Sequence, residues 1–377
     1  MSHSPTISII VPCYNHAKFL PARLKSISKQ SFTDFEIILL DDASSDNSQA
    51  VLHQFAGQEP RVSVTEFNSD NSGCVNDQWI KGVNLAKGKY IWIAESDDVS
   101  DSEFLEVMIA QFEKAPQIGM AYCDSMIIDE SGKALFRYDF SCEDYISRWH
   151  QDFVMDGKSF IRDHLVFKNV IPNVSSALFK TECLRAALNK HNMKYCGDWY
   201  CYARLLSNSA VAYVHRPLNL FRAHIQSTRW HDQHSYKLAL VEKKIILKEI
   251  RNMGIPGSLE SISKSYRRMF KNRHKFKRIG RLYSKLDTII KHNTRVALYG
   301  CNDIAEYLIL GFYPRVLFSV IFDKAKAGTE THGVPVITLS ESALDDIDVV
   351  AICSFAYKDE MRLSLDNLQF SGDIITI

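Results

Sequence analysis

The sequence predicts an α/β protein built on a mainly parallel sheet flanked by helices. Short apolar runs rich in β-branched residues occur at residues 7–11, 35–40 and 62–67, and such runs are typical of buried strands. Apolar residues with helical spacing lie between them, as in residues 19–27. Because strands that alternate with helices usually pair in parallel, their carboxyl ends should meet at one edge, where sheets of this class bind ligands.

Composition limits the class of protein. The chain has 377 residues, enough for two domains, and its formal net charge of +1 indicates no polyanionic partner such as nucleic acid. Its nine cysteines form no Cys-x-x-Cys pair, a pattern typical of reduced thiols in a cytosolic protein. We see no signal-like N-terminus and no run near the roughly 20 apolar residues that span a bilayer. We therefore expect a cytoplasmic protein, with attachment to the inner face of the plasma membrane as the alternative.

The stretch at residues 89–98 is the most informative one. Its apolar run ends abruptly in Glu95, Ser96, Asp97 and Asp98. Carboxylates are seldom buried unless they are paired or bind a metal, so a buried strand ending in clustered acids predicts a site for a hard cation with oxygen ligands. A solvated turn whose aspartates cap the next helix explains this stretch equally well when it is taken alone.

Two other strand ends carry complementary groups. The first strand, predicted to end at Pro12, is followed by Tyr14 and Asn15, and the second is followed by Asp41 and Asp42. An aromatic ring and an acid can stack on a base and accept its N–H, a further acid can bind ribose hydroxyls, and another can hold a cation against phosphates. The set suits a nucleoside diphosphate with a divalent metal.

Three motifs follow one another along the chain: Val-Pro-Cys-Tyr-Asn at residues 11–15, Ile-Ile-Leu-Leu-Asp-Asp-Ala-Ser-Ser-Asp at 37–46, and Leu-Ala-Lys-Gly-Lys-Tyr-Ile-Trp-Ile-Ala-Glu-Ser-Asp-Asp at 85–98. In this order they resemble glycosyltransferase family 2, and the resemblance runs through roughly residues 5–230. It implies a GT-A fold and inverting transfer of a sugar from a nucleotide-sugar donor.

The resemblance also implies roles for individual residues at the nucleotide end. Tyr14 is expected to stack near the base, and Asp42 is expected to accept from its N–H. Pro12 and Asn15 are expected to line the same nucleotide-sugar site, and Asp97 is expected to bind the ribose.

The metal and diphosphate are expected beside Asp98, which would hold Mg²⁺ or Mn²⁺. In the family-like element at residues 217–227, Arg222 would neutralise the leaving diphosphate, and His224 would complete the metal shell or contact phosphate. A structural role is the alternative for His224. The sequence departs from the family pattern at Glu95, which replaces an aspartate, and at residues 76–79, which lack an Arg-Asn pair.

Asp198 lies at the start of a predicted helix, in Cys-Gly-Asp-Trp-Tyr-Cys-Tyr-Ala-Arg at residues 196–204. A carboxylate there is favoured by the helix N-terminus, so a capping role is one interpretation. In the family an aspartate at this place is the general base that deprotonates the acceptor hydroxyl, and the resemblance favours that role. The glutamate that usually precedes it is Gly197 here.

Two segments before that helix are less informative. Residues 139–164 show no clear periodicity. Residues 171–179 resemble the family's strand that precedes the acceptor side, and an ordinary edge strand that contains a proline is the alternative.

The C-terminal third predicts two further segments, so we divide the chain into a GT-A domain at residues 1–230, a helical basic linker at 231–292 and a small Rossmann-like domain at 293–377. The basic run at residues 266–281 is interpreted as a solvated helix, with contact to anionic lipid headgroups as the alternative and nucleic-acid binding as a weaker third. In the last domain, Gly-Cys-Asn-Asp-Ile-Ala at residues 300–305 is a degenerate dinucleotide fingerprint. This domain is therefore predicted to serve docking or assembly more than cofactor binding.

The predicted function is inverting transfer of a sugar from a UDP or dTDP donor to a hydroxyl of a saccharide or lipid-linked saccharide, in a bacterial surface polysaccharide pathway. A homo-oligomer is left open. Two alternatives stand beside this function: an NAD-dependent oxidoreductase that uses the tail domain, with Asp323 as its ribose-binding acid, and a non-catalytic protein that binds sugar nucleotides.

Overall fold

The structure is a computed structural model that describes residues 4–138, 148–224, 233–290, 294–312, 316 and 318–376. Part of the aperiodic segment, at 139–147, lies outside these residues. The end of the family-like element, at 225–227, and the residues that follow it up to 232 also lie outside them. The chain divides into two compact units, and the described strands form two sheets. Across the described residues, no helix combines the length and apolar character that a membrane span needs.

The strands, in chain order, have the following bounds: β1 (Ile7–Cys13), β2 (Phe35–Asp41), β3 (Val62–Phe67), β4 (Tyr90–Ile93), β5 (Val99–Ser100), β6 (Ile118–Ile128), β7 (Ala134–Arg137), β8 (Phe153–Asp156), β9 (Ala177–Lys180), β10 (Ala210–Arg222), β11 (Val296–Tyr299), β12 (Phe318–Phe322), β13 (Glu330–Thr331), β14 (Val334–Ile337), β15 (Val349–Ile352) and β16 (Asp373–Thr376). The helices have these bounds: α1 (Leu20–Ser28), α2 (Ser48–Ala56), α3 (Val75–Leu85), α4 (Phe104–Lys114), α5 (Gly157–Phe160), α6 (Thr181–Ala187), α7 (Gly197–Leu206), α8 (Gln233–Asn252), α9 (Ser258–Ile289), α10 (Asp303–Phe312) and α11 (Lys358–Asn367).

The larger sheet has the strand order β3-β2-β1-β4-β9-β6-β10-β5, with β7 beside β6 and β8 beside β10. Strand β1 pairs in parallel with β2 and β4, and β2 pairs in parallel with β3. The carboxyl ends of these four strands therefore lie along one edge, as the sequence predicts. The mainly parallel sheet flanked by helices is confirmed.

The prediction that the first strand ends at Pro12 is wrong. Strand β1 continues to Cys13, and Pro12 pairs with Leu40 of β2. Ile10 directs its backbone groups toward β4, since its carbonyl accepts from the N–H of Ala94 over 2.8 Å. Pro12, two residues later, faces the same side beyond the last paired residue of β4, so its missing N–H removes no ladder bond.

The edge-strand interpretation of residues 171–179 is also wrong. A short 3₁₀ turn at Val174–Ser176 leads into β9, which lies between β4 and β6 and pairs antiparallel with both. The turn itself contacts the neighbouring strand, because the carbonyl of Ser175 accepts from Trp92 Nε1 over 2.9 Å. Trp92 is fully buried and packs on Phe104, with ring centroids 4.6 Å apart. The end of β4 is thus a rigid mount for the acids that follow it.

The second unit contains a six-stranded sheet within the described residues, in the order β13-β14-β12-β11-β15-β16. All pairs are parallel except that of β13 with β14. Numbered within this unit, without β13, the parallel strands run 3-2-1-4-5, which is the order of a doubly wound sheet. The predicted α/β character of this region is confirmed, whereas the domain limits given above stay predictions.

Candidate active site

The acidic segment that follows β4 is held by side chains from distant parts of the sequence. Trp79 Nε1 of α3 donates to Glu95 Oε1 over 2.8 Å, and Ser175 Oγ accepts from the backbone N–H of Glu95 over 3.0 Å. Burial and the nearby carboxylate of Asp97 raise the pKa of Glu95 to about 8. The two departures from the family pattern are thus in contact: Glu95, which replaces an aspartate, accepts a hydrogen bond from Trp79, which lies in the segment without the Arg-Asn pair.

Asp98 is buried, and both of its carboxylate oxygens accept hydrogen bonds from the protein. Oδ1 accepts from the backbone N–H of Arg222 over 3.0 Å, and Oδ2 accepts from Asn173 Nδ2 over 2.7 Å. Burial and the charge of Asp97 raise the pKa of Asp98 to about 6, and Arg23 opposes that rise. In this structure the carboxylate is thus engaged by β10 and by the segment before β9, and the predicted metal role of Asp98 stays a prediction.

A buried arginine that the sequence analysis did not single out lies beside these acids. Arg23 of α1 has no exposed surface, its Nε donates to the carbonyl of Glu95 over 2.7 Å, and its Nη2 lies 3.8 Å from Asp98 Oδ2. Its guanidinium also lies 5.4 Å from the ring centroid of Trp92. Arg23 lies on the same buried face of α1 as Leu20 and Ile27. A charged residue at the helical spacing of two apolar ones is the feature of the sequence that could have identified it.

The other acid of the segment lies beside two histidines. His16, Asp97 and His224 each offer one ligand atom, and these atoms lie within 4.8 Å of one another. Ser96 Oγ lies 2.8 Å from His16 Nδ1. Imidazole nitrogens and a carboxylate oxygen form a donor set that suits a divalent metal ion. The structure therefore places His224 with Asp97, and it adds His16, whose position directly after the first strand end was the signal that sequence reasoning passed over.

Arg222 supports the acidic segment through its backbone and its side chain. It is the last residue of β10 and is buried, and its Nε donates to the carbonyl of Asp97 over 2.8 Å. Its guanidinium lies 5.2 Å from the ring centroid of Phe19. The predicted contact of Arg222 with the diphosphate stays a prediction.

The end of β1 presents one exposed aromatic ring. Tyr14 is 46% exposed, so its side chain is accessible to a ligand, and the predicted stacking on a base stays a prediction. Asn15 takes a left-handed backbone with φ of 56°, and its Oδ1 accepts from the backbone N–H of Ser45 over 2.7 Å. Asn15 therefore joins the loops after β1 and β2, and Pro12 is buried within β1. Any contact of Asn15 or Pro12 with a nucleotide stays a prediction.

Asp42 anchors the loop that precedes α3. Asn68 Nδ2 and Gln78 Nε2 each donate to Asp42 Oδ1 over 2.7 Å, and the hydroxyl of Ser72 donates to Oδ2 over 2.7 Å. Gln78 lies in the segment where the family has its Arg-Asn pair, so this departure supplies a donor to Asp42. The backbone N–H of Ser72 donates to both oxygens, over 3.0 Å to Oδ1 and 3.2 Å to Oδ2, so both are engaged by the protein. The predicted contact of Asp42 with a base stays a prediction.

Asp198 lies in the first turn of α7, and a short segment connects it to the acids after β4. Its Oδ2 accepts from Asn169 Nδ2 over 3.1 Å, while Asn173 Nδ2 donates to Asp98. Residues 169–173 span at most about 14 Å when fully extended. The same segment therefore holds the candidate base at one end and the acidic segment at the other. Asp198 Oδ1 accepts from the N–H of Trp199 over 2.6 Å, so the capping alternative also keeps a physical basis.

The comparison with known families decides the class of this region. Residues 8–167 match the family described as "Glycosyl transferase family 2". They form a glycosyltransferase family 2 domain. The chain is similar to the glycosyltransferase GlyG of Streptococcus pneumoniae, at 37% identity over 111 residues, which is 29% of this chain and 36% of GlyG. It covers a smaller share still of several chondroitin and hyaluronan synthases that also match it.

Solved structures support the fold of this family 2 domain. The chain resembles Staphylococcus aureus TarS 1–349 in complex with UDP-GlcNAc, with a TM-score of 0.54, 16% identity and coverage of 71% of this chain and 73% of TarS. It also resembles the mannosyltransferase PcManGT of Pyrobaculum calidifontis, in complex with GDP-Man and Mn²⁺, with a TM-score of 0.50, 14% identity, and coverage of 82% of this chain and 80% of PcManGT. At this identity the likeness concerns the fold, and the GT-A prediction is confirmed.

In the second unit, side chains of the protein itself bond the backbone groups that a dinucleotide would contact. Asn302 Oδ1 accepts from the N–H of Ile304 at the start of α10, and its Nδ2 donates to the carbonyl of Cys353 over 2.7 Å. Asp323 Oδ2 accepts from the N–H of Cys301 over 2.9 Å. A pyrophosphate would need the helix N-terminus that Asn302 fills, so these contacts count against the NAD-binding alternative. The docking or assembly interpretation stays a prediction.

Proposed function

We propose that this chain is an inverting glycosyltransferase that moves a sugar from a nucleoside diphosphate sugar to a hydroxyl acceptor. One observation carries the proposal: a metal-competent group of His16, Asp97 and His224 lies where the parallel strands of a family 2 domain end. Its neighbours at the same edge are an exposed aromatic ring at Tyr14 and an anchored acid at Asp42. Together these groups suit the base and the metal-bound diphosphate of a nucleotide sugar, and the predicted contact of Asp97 with the ribose stays a prediction.

We propose UDP or dTDP as the nucleotide. In either base, a ring N–H could donate to Asp42 while the ring stacks on Tyr14. The UDP-GlcNAc complex of TarS, which shares the fold, supports a donor of this type. Replacement of UDP by GDP should lower affinity, because a purine presents a different donor and acceptor edge.

The donor set fits a divalent ion, and between the two predicted ions it favours Mn²⁺. Mg²⁺ takes oxygen ligands almost alone, whereas imidazole nitrogen binds transition metals well. The Mn²⁺ complex of PcManGT supports this choice. When bound, the ion would neutralise charge that develops on the leaving diphosphate. Asp97, His16 and His224 would hold it.

Asp198 is proposed as the general base. Its carboxylate would take the proton of the acceptor hydroxyl as the hydroxyl oxygen attacks the anomeric carbon, and the nucleoside diphosphate would leave from the opposite face. The hydrogen bond from Asn169 fixes one carboxylate oxygen, so the side chain is preoriented before the acceptor binds. Direct displacement of this kind inverts the anomeric configuration.

The acceptor is proposed to be a saccharide or lipid-linked saccharide of a surface polysaccharide. The partial match to chondroitin and hyaluronan synthases supports a polysaccharide product. A membrane-surface location is supported by α8, which exposes Val241 (53%) and Ile245 (46%) beside the exposed cations Lys244 and Lys248. Sedimentation with phosphatidylglycerol vesicles tests this location, and equal sedimentation of a Lys244→Glu, Lys248→Glu variant would count against it.

The decisive experiment is incubation of the full chain with a panel of UDP, dTDP and GDP sugars, Mn²⁺ and candidate saccharide acceptors. We expect nucleoside diphosphate release that depends on both metal and acceptor, and a product with inverted anomeric configuration by NMR. A retained configuration would refute the displacement mechanism. Absence of release across the panel, together with absence of metal-dependent UDP binding, would refute the proposed function.

A further inference from the structure

A buried glutamate outside the family 2 match holds the loop that leads into α7. Glu242 lies on α8 and is only 8% exposed. Its Oε1 accepts from the backbone N–H of Lys194 over 2.7 Å, and its Oε2 accepts from the N–H groups of Tyr195 and Cys196 over 2.9 and 2.8 Å. A single carboxylate thus accepts three consecutive backbone donors immediately before Gly197, the first residue of the helix.

This arrangement differs from a surface ion pair. Hydrogen bonds between a charged acceptor and backbone N–H groups are stronger than neutral ones, and three of them restrain both the position and the orientation of the loop. Lys243, the next residue of α8, donates to the carbonyl of Phe167 over 2.6 Å. Phe167 lies two residues before Asn169, the partner of Asp198. Helix α8 therefore contacts both segments that surround the candidate base.

The loop has little freedom to adopt another path. Asn76 Nδ2 of α3 donates to the carbonyl of Asn189 over 3.0 Å, so α3 restrains the loop at its other end. At Gly197, an added Cβ would lie 2.8 Å from the ring of His191, so the approach to α7 is closely packed. Glu242 supplies the last restraint before the helix begins.

We propose that Glu242 is a positioning residue for the base. It acts through the backbone of residues 194–196, which sets where the first turn of α7 starts and hence where the carboxylate of Asp198 lies. This inference rests on the proposed function, since it assigns Asp198 as the base. It extends that function to a residue of α8, beyond residues 8–167 of the family match.

The test compares two isosteric variants on the same helix. Glu242→Gln keeps the size of the side chain but replaces one acceptor oxygen with an N–H₂ group that cannot accept from the loop. The matched control is Glu249→Gln, two turns further along α8. Glu249 also contacts α7, through Arg204 Nη1 over 2.7 Å, but at the far end of that helix.

We expect Glu242→Gln to lower kcat for transfer by about 10- to 100-fold, the range that a misplacement of up to 1 Å produces. The KM for the donor and the Mn²⁺-dependent affinity for UDP should stay unchanged, because the loop does not carry the donor site. Hydrogen exchange at the amides of Lys194, Tyr195 and Cys196 should become faster. Glu249→Gln should leave kcat and these amides unchanged.

The outcomes separate this inference from the proposed function. If wild type transfers sugar and Asp198→Asn does not, but Glu242→Gln keeps full kcat or the three amides stay protected, the positioning role is refuted. A parallel change in kcat and donor KM would also refute it, because it would indicate general damage. If wild type shows no transfer with any donor of the panel, the proposed function fails, and the positioning role, which has no base to position, fails with it. Should Glu242→Gln not fold, Glu242→Asp, one methylene shorter, replaces it with the same expected signs.

Discussion

Removal of the buried cation at Arg23 should destabilise the family 2 domain far more than removal of a comparable surface arginine. Arg23 is fully buried, donates to the carbonyl of Glu95 and lies 3.8 Å from Asp98. Methionine fills a similar volume, so Arg23→Met creates no large cavity. It does leave a buried carbonyl without its donor and a buried acid without its cation. Loss of one partner of a buried pair costs about 3–5 kcal/mol.

Arg61 provides the matched control. It forms an ion pair with Glu59 over 2.7 Å and lies 4.3 Å from the ring centroid of Phe35, but its side chain is 27% exposed. Arg61→Met should therefore cost only about 0–1 kcal/mol. Thermal or urea unfolding measures both variants. At roughly 2–4 °C per kcal/mol for a unit of this size, Arg23→Met should lower Tm by about 10 °C and Arg61→Met by a few degrees at most.

The cost of Arg23→Met should also depend on pH. The charge of Arg23 lowers the pKa values of Glu95 and Asp98, which burial raises to about 8 and about 6. An acid whose pKa is higher in the folded protein than in the unfolded chain lowers the free energy of unfolding as the pH rises from the unfolded pKa through the folded pKa. In the variant, the folded pKa values of both acids move higher still. The difference in stability between wild type and Arg23→Met, measured in chelator, should therefore be larger at pH 9 than at pH 5. It should widen from about pH 6 through Asp98 and above about pH 8 through Glu95. Equal losses at both pH values, or equal losses for both arginines, would refute the buried-pair account.

Four further predictions concern the site. Asp97→Asn should abolish the Mn²⁺-dependent gain in UDP affinity in calorimetry, while Asp98→Asn should mainly lower Tm; the reverse result would assign the metal to Asp98, as the sequence predicts. Tyr14→Ala should weaken UDP binding by about 1–3 kcal/mol if the ring stacks on the base, and unchanged affinity would contradict stacking. Asp198→Asn should reduce turnover by about 10²–10⁴-fold at unchanged donor affinity and Tm, whereas a helix cap would tolerate Asn, so full turnover would move the base elsewhere. A chain ending at Lys291 should keep metal-dependent UDP binding, and a folded fragment without it would show that the tail belongs to the donor site.

The strand ends could be predicted from sequence because local patterns carry them. Apolar runs stop where polar clusters begin, and parallel pairing then brings Tyr14, Asp42 and Asp97 to one edge. Which of the two neighbouring acids, Asp97 or Asp98, faces the metal-competent group could not be predicted in this way. Strand β4 ends at Ile93, so strand alternation does not fix which way Asp97 and Asp98 point. That choice depends on partners that are distant in sequence.

Those distant partners also explain why the supporting residues were missed. Asp98 is oriented by Asn173 and by the backbone of Arg222, and the loop before α7 is held by Glu242. Each of these residues looks ordinary in its own stretch, because an Asn before a turn or a Glu on an amphipathic helix is common. Their importance comes from contacts with residues that are distant in the sequence, and such contacts leave no local periodic pattern in a single sequence.

The two ends of the proposed reaction are built in different ways, and this has a consequence for specificity. The donor side is assembled from strand ends whose backbone is fixed by the sheet, with Asp42 and Asp97 on neighbouring loops. The acceptor side depends on Asp198 in the first turn of a helix whose entry loop is restrained by side chains from α3 and α8. The strand ends are fixed by the hydrogen bonds of the sheet, whereas a helix held by a few side-chain contacts can be repositioned by a few substitutions. Within this architecture, acceptor choice should therefore vary through residues such as Glu242 and Asn76 while donor binding stays constant.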